Sequence, residues 1–401
     1  MSPPVVGLTG RRTSGPLLIV ILGLMTAIGP LSIDMYLPAF PAVAADLRVA
    51  PSQVQLSLTA FLLGLAVGQL VSGPLSDRWG RRRLAVAGLS AYAILSLLIA
   101  LAPDVPVLLA LRLLEGAAGG TGVVIARAVV RDLHSGVAAA RFFSRLTLIF
   151  GVAPVLAPIL GSAVLRVASW HWIFVALGLV AALLTALVAA RLPETLPPER
   201  RRLEFPSPGP MFKDKNFLSY AFAQAAAGAA LLTYLANSSF VLQDGYGISP
   251  TVFGLLFAVN ALGLVALSQA NARLLARFSI GSLLIAALGL QVVAGAVTLA
   301  AALAGNFAGL AGGLFLLVAS IGMSTPNATA LALERHATRA GSAAALLGGL
   351  QLLSSAVAAS LAALGPPGHG VPMAALILAF AAVALLIVLV VRSTSGRPAP
   401  E

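Results

Sequence analysis

Apolar stretches of about 20 residues recur along the chain, separated by short polar or Pro- and Gly-containing breaks. A stretch of that length can cross a bilayer as a helix, so the pattern predicts twelve membrane spans. We expect the first span to remain uncleaved, because it is longer than the apolar region of a signal peptide. The predicted spans cover residues 16–40, 52–74, 83–102, 105–131, 141–165, 170–191, 217–240, 251–271, 281–303, 307–331, 341–364 and 371–392.

One long hydrophilic segment, residues 192–216, is rich in proline and charge and separates six predicted spans from the other six. We therefore expect an all-α integral membrane protein with three parts. These are an N-terminal six-helix half at 1–191, a cytoplasmic linker at 192–216 and a C-terminal six-helix half at 217–401.

The composition agrees with a polytopic membrane protein, because 59% of the residues are hydrophobic and only 9% are charged. The mean hydropathy is +0.99, whereas soluble domains carry about 25% charged residues. A net charge of +12 would suggest a nucleic-acid partner in a soluble chain. Here the basic residues lie in short loops, so we expect the lipid bilayer as partner and no nucleic acid. Cysteine is absent, which excludes disulfides and thiol chemistry.

Lys and Arg residues are distributed unequally between the two sides of the predicted membrane domain. Of the 25, all but four lie in the two tails, the linker and the loops on the same side as the tails. Arg48 and Arg166 lie on the other side, while Arg112 and Arg127 fall inside the fourth span. The positive-inside rule therefore predicts that both termini and the linker are cytoplasmic.

One carboxylate, Asp34, interrupts the apolar run of residues 16–41. An ionisable side chain at membrane depth costs about 2.5–3.5 kcal/mol on insertion scales and by default marks a proton or substrate pathway. Burial disfavours its charged form, which would let it take up and release a proton. The alternative is a structural carboxylate that is neutralised by a buried Arg.

The fourth span carries Arg112 and, three residues later on the same helix face, Glu115. Arg112 and Asp34 both lie about 10 Å from the outer end of their spans at 1.5 Å per residue, so contact between them is possible. A buried Arg keeps its proton and needs a carboxylate nearby. We therefore expect Asp34, Arg112 and Glu115 to take part in proton coupling. The alternative is a static ion pair that joins the first and fourth spans.

The loop between the second and third spans reads GPLSDRWGRRRL over residues 73–84. Gly73 and the following proline predict a helix end, and Gly80 permits a tight turn. The charges around this turn could form a cytoplasmic salt-bridge latch, or they could only determine topology. The predicted gate residues are Gly73, Asp77, Arg78, Gly80, Arg81 and Arg82, with Arg131 at the foot of the fourth span as a partner.

The fifth span contains GVAPVLAPILG, with Gly151, Pro154, Pro158 and Gly161. Prolines four residues apart lie on one helix face and are expected to kink the helix and free carbonyl groups. The kink could serve transport or packing alone.

The second half offers uncharged polar side chains where the first half has buried charges. With two aromatic residues of the first half, they are candidates for an apolar drug site with a few polar groups. Hydrogen bonding between helices is the alternative role. The candidates are Tyr36, Phe61, Gln224, Tyr234, Asn237, Asn260, Ser324, Thr325, Asn327 and Gln351.

Several of these segments resemble motifs of a known family. GPLSDRWGRRRL resembles the loop signature of the major facilitator superfamily, and GVAPVLAPILG is similar to its antiporter motif. RLLEGAAGG resembles the R-x-x-Q-G motif of drug transporters, with Glu115 in place of Gln. Together with SIDMYLPAFP and PETLPPERR, they resemble the Bcr/CflA drug-resistance branch over residues 30–202.

The resemblance implies a major facilitator fold, with two six-helix halves around a central cavity, and proton-coupled export of antibiotics across the bacterial inner membrane. Bicyclomycin, sulfonamides and chloramphenicol-type compounds are the implied substrate class. Asp34 would be the embedded acid and Arg112 its motif partner. We expect a monomer. Proton-coupled uptake of a small metabolite, or a non-transporting sensor, would be the alternatives.

The sequence lacks the motifs of other energy sources and of metal chemistry. G-x-x-x-x-G-K-[ST] and H-E-x-x-H do not occur, and the four His residues have no metal-ligand spacing. We therefore expect no enzymatic activity and no cofactor, with the proton gradient as the energy source.

Overall fold

The computed structural model describes residues 5–6, 12–13, 15–134, 136–197, 199, 214–334, 340–362 and 369–395. Within them the regular elements are helices, apart from an antiparallel pairing of β1 (Val5–Val6) with β2 (Arg12–Thr13). The first helices are α1 (Gly15–Asp34), α2 (Phe40–Asp46), α3 (Pro51–Trp79), α4 (Arg81–Ile99), α5 (Val105–Leu133), α6 (Gly136–Val167) and α7 (His171–Arg191). The later ones are α8 (Lys215–Ser239), α9 (Pro250–Leu274), α10 (Ile280–Leu303), α11 (Phe307–Leu333), α12 (Ala340–Ala362) and α13 (Gly370–Ser395).

All the helices except the short α2 are long, and each of these twelve overlaps one predicted span. Ten stretches of the described chain are long and apolar enough to cross a membrane. The other two long helices, α6 and α12, are described only in part. The predicted all-α membrane architecture is therefore confirmed.

The first span differs from its prediction, because the helix stops at Asp34 instead of continuing to residue 40. Pro38 has no N–H and cannot donate to the carbonyl of Asp34, so a regular helix cannot continue through this residue. The chain instead continues through tighter bonds, from Tyr36 N to Ile33 O at 3.1 Å and from Ala39 N to Tyr36 O at 2.9 Å. Asp34 is thus placed at a break in the span.

Residue contacts divide the chain into two compact units. The first contains residues 1–49 and 60–205, and the second contains residues 50–59 and 206–401. In the first unit, one face of α1 contributes to a hydrophobic cluster that also contains residues of α4, α5, α6 and α7. Leu18, Leu22 and Met25 are fully buried on that face. In the second unit, the buried face of α8 consists largely of alanine, and Ala223 and Ala227 pack near Leu284 of α10.

Close helix contacts in both units depend on glycine. In the first unit, a Cβ on Gly64 would lie 1.9 Å from Leu113 O, and one on Gly116 would lie 2.1 Å from Phe61 O. In the second unit, a Cβ on Gly322 of α11 would lie 2.2 Å from Leu264 O of α9. No side chain fits at such distances, so the backbones of α3 and α5, and of α9 and α11, approach closely through small residues.

Candidate functional site

Asp34 ends α1 and is 7% exposed. Its carboxylate forms no hydrogen bond or ion pair with any residue in the described part of the chain. A buried carboxylate without a partner is costly in its charged form, because nothing replaces the water that it has lost. Asp34 is therefore a buried carboxylate whose charged form is costly, which is the property that made it a candidate in the sequence.

Arg112 and Glu115 of α5 form a fully buried ion pair, with Arg112 Nη1 2.6 Å from Glu115 Oε2. Arg112 Nη1 also donates to Ser32 Oγ of α1 at 2.8 Å. The second carboxylate oxygen, Glu115 Oε1, accepts from Ser96 Oγ of α4 at 2.6 Å. The pair therefore connects three helices of the first unit.

Three aromatic rings surround the guanidinium of Arg112. Its Cζ lies 4.2 Å from the ring centre of Phe61, 5.0 Å from that of Tyr36 and 5.5 Å from that of Phe174. Cation–π attraction is strongest where water is excluded, as it is here. Tyr36 and Phe61, predicted as lining residues of a drug site, are fully buried against this cation.

Arg112 pairs with Glu115, and no ion pair joins it to Asp34, although equal depth made such a contact possible. The face of α1 that meets Arg112 carries Ser32, and residues two apart on a helix point in different directions. Asp34 and Arg112 lie at equal depth along their helices, but their side chains do not point toward each other. Ser32, Ser96 and Phe174 were missed, although the two serines stand out as polar positions in apolar spans.

At the predicted gate, Arg81 is the centre of the charge network. It pairs with Asp77 four residues earlier and donates to Ser76 Oγ. Its Nε also donates to Asp132 Oδ2 of α5 at 3.0 Å. The predicted partner Arg131 forms no ion pair with a described residue, whereas its neighbour Asp132 pairs with Arg81.

The remaining gate residues have different positions. Arg78 is exposed and forms no ion pair with a described residue, whereas Arg82 donates to the carbonyl of Ala189 at the end of α7. Gly73 lies within α3, which continues to Trp79 through the following proline, so the predicted helix end at Gly73 is wrong. Gly80 has a φ of 95° and provides the turn into α4, as its sequence position indicates.

The antiporter-like segment lies in α6, which runs without a break through Pro154 and Pro158. Gly151 belongs to the same helix. A Cβ on Gly161 would lie 2.1 Å from the carbonyl oxygen of Met35, the residue after Asp34. The segment therefore packs directly against the break in the first span.

Four of the eight predicted polar residues of the second half bond to each other in two pairs. Asn260 Nδ2 donates to Tyr234 Oη at 2.9 Å, and Gln224 Nε2 donates to Gln351 Oε1 at 3.1 Å. These bonds join α8 to α9 and α12. Other contacts include the reciprocal amide pair of Asn271 and Asn327, the bond from Gln291 to Ser324, and the bonds that Asn237 makes to Thr233 O and accepts from Gln55 Nε2. Thr325, the remaining predicted residue of the second half, is half-buried in α11.

A buried acid at a helix break, a buried ion pair and ten stretches of the described chain that are apolar enough to cross a membrane are typical of a multi-pass membrane transporter, and residue contacts divide the chain into two units. The sequence profile described as the Major Facilitator Superfamily matches residues 22–359. The chain belongs to this family.

Comparisons with individual proteins agree with this assignment. The MFS-type transporter YdgK of Bacillus subtilis is 40% identical over 80% of this chain and 82% of its own length. The bicyclomycin resistance protein homolog of Haemophilus influenzae is 34% identical over 81% of this chain and 83% of its own. The crystal structure of a bacterial Spinster homolog superposes with a TM-score of 0.72 at 16% identity, over 97% of this chain and all of that one. The last comparison shows the shared fold.

Proposed function

We propose that this protein exports amphipathic antibiotics of the bicyclomycin and chloramphenicol class from the cytoplasm in exchange for protons. It would act as a monomer in the bacterial inner membrane, with both termini and the linker in the cytoplasm. The resistance protein homolog supports the substrate class. The distribution of Lys and Arg supports the orientation.

The observation that carries the proton coupling is the buried carboxylate of Asp34, which has no partner among the described residues. Because Arg112 and Glu115 neutralise each other, Arg112 is not available to hold Asp34 in its charged form. Asp34 must then bind a proton, or a ligand that replaces one, whenever it is closed off from water. A group in that position can alternate between a proton and a drug.

In the proposed cycle, Asp34 takes up a proton from the outer side, which weakens drug binding and favours release. On the cytoplasmic side it loses the proton and binds drug again. Opening of the network of Asp77, Arg81 and Asp132 would accompany the change of access. The prolines and Gly161 of α6 would hold the break at Asp34 in shape. Tyr234, Asn237, Asn260, Asn327 and Gln351 would supply the polar contacts of an otherwise apolar drug site.

The proton gradient is sufficient for such an exchange. One charge that crosses a potential of 100 mV releases about 2.3 kcal/mol, and a tenfold concentration ratio costs about 1.4 kcal/mol. One proton for each neutral drug molecule would therefore support an outward gradient of well over tenfold.

The test is transport by purified protein in proteoliposomes with an imposed pH gradient, using labelled bicyclomycin and chloramphenicol as probes. We expect Asp34→Asn to abolish drug movement driven by the gradient. Asp104→Asn is the matched control, because Asp104 is a helix cap at the start of α5 and Asn caps equally well.

Two results would contradict the proposal. If Asp34→Asn drives gradient-dependent export at the normal rate, Asp34 is not the coupling acid. If reversal of the gradient shows that solute accumulates together with protons, the protein is an uptake symporter.

A further inference from the structure

The first turn of α4 has an unusual charge pattern. It begins with Arg81, Arg82 and Arg83 and contains no acidic residue. The helix is preceded by Gly80, which has no side chain to cap it. Cations at a helix N-terminus oppose the helix dipole, and the first backbone N–H groups lack partners within the helix. The start of α4 therefore needs a carboxylate from elsewhere in the chain.

Glu194, in the segment that follows α7, supplies this carboxylate. Its Oε1 accepts from Arg81 N at 2.9 Å, and its Oε2 accepts from Arg82 N at 3.3 Å. Oε1 also accepts from the backbone N–H groups of Thr195 at 3.1 Å and Leu196 at 3.2 Å. Glu194 is 8% exposed, and no ion pair joins it to a cationic side chain of the described chain. Four backbone N–H groups thus replace its water.

The segment that follows α7 also binds Asp132, the carboxylate to which the Arg81 side chain donates. Thr195 Oγ1 donates to Asp132 Oδ2 at 2.7 Å, the oxygen that accepts from Arg81 Nε. Arg82 donates to the carbonyl of Ala189 in α7. Residues 194 and 195 therefore hold both the backbone of Arg81 and the carboxylate to which its side chain binds.

We propose that Glu194 is a positioning residue for the gate. Its carboxylate caps α4 from the linker, and this cap holds Arg81 in the register in which it binds Asp77 and Asp132. Glu194 would affect the rate of the transport cycle without contacting the drug. The transport readouts of this proposal rest on the proposed function, whereas its structural readout does not.

The structural test is amide hydrogen exchange of the full-length protein in nanodiscs. We expect Glu194→Ala to speed exchange at residues 81–84 about tenfold, because hydrogen bonds to a charged acceptor are lost. Glu194→Gln keeps one carbonyl acceptor and should lie between Glu194→Ala and the unmodified protein. Glu199→Ala is the matched control, because Glu199 is an exposed residue of the same segment.

The functional test is bicyclomycin and chloramphenicol transport in proteoliposomes. We expect Glu194→Ala to lower the maximal transport rate about tenfold with the drug KM unchanged, and Glu194→Gln to restore part of the rate. In an Arg81→Ala background, Glu194→Ala should cause no further loss, because Glu194 acts through Arg81.

Three results would overturn the proposal. They are unchanged exchange at residues 81–84 in Glu194→Ala, a loss of rate that multiplies with that of Arg81→Ala, or an altered drug KM. If the unmodified protein moves neither drug, the proposed function fails, while the exchange experiment still decides whether Glu194 caps α4.

Discussion

Removal of the Glu115 carboxylate is the perturbation whose cost follows most directly from the structure. In Glu115→Ala, Arg112 stays fully buried and charged but loses its carboxylate. Loss of one partner from a buried ion pair costs about 3–5 kcal/mol. The three aromatic rings and Ser32 still contact the guanidinium, so we expect a value near the lower end of that range. Glu115→Gln keeps an acceptor oxygen and should cost about 1–3 kcal/mol.

The assay is the free energy of unfolding, measured by titration of the purified protein with SDS in mixed micelles. Glu199→Ala provides the control, because the same type of side chain is removed from an exposed position. A loss below about 1 kcal/mol in Glu115→Ala would refute the buried pair, because an exposed pair contributes no more than that.

The variant Glu115→Gln also separates a structural role of Glu115 from a role in proton coupling. If Glu115 only neutralises Arg112, Glu115→Gln should still exchange drug for protons in proteoliposomes, unlike Asp34→Asn. Loss of gradient-driven transport in Glu115→Gln, with stability retained, would show that Glu115 also carries a transported proton.

Two further pairs of substitutions test the packing and the gate. Gly64→Ala should cost about 1–3 kcal/mol or more in the same titration, because the new methyl group overlaps Leu113 O, whereas Gly312→Ala, with nothing within 4 Å, should be neutral or stabilising. Equal values for the two variants would contradict the close contact of α3 and α5. At the gate, Asp132→Asn should slow drug transport about tenfold by weakening its bond to Arg81, while Arg131→Gln, at an exposed position, should leave the rate unchanged. If Arg131→Gln slowed transport more than Asp132→Asn, Arg131 would be the gate partner, as the sequence first indicated.

Much of the candidate site could be predicted where its residues are close in the sequence. Arg112 and Glu115 are three residues apart on one helix, and the structure places them in contact. Contacts between helices were predicted less well. The sequence predicted Arg131 as a gate partner, whereas the structure shows that Arg81 binds Asp132. The sequence indicates which residues lie at the foot of α5 but not which of them faces α4. Glu194 caps α4 from more than a hundred residues away, which no local pattern could indicate.

The sequence by itself determined the twelve long helices of the described chain, their approximate ends and the residues that are costly to bury, because insertion into a bilayer depends mainly on the composition of each successive segment. Even the break at Asp34 has a local cause in Pro38. Only the tertiary structure decided the direction of each side chain around its helix axis. That direction depends on how neighbouring helices pack, and it is why Ser32 meets Arg112 while Asp34, two residues later, has no partner in the described chain.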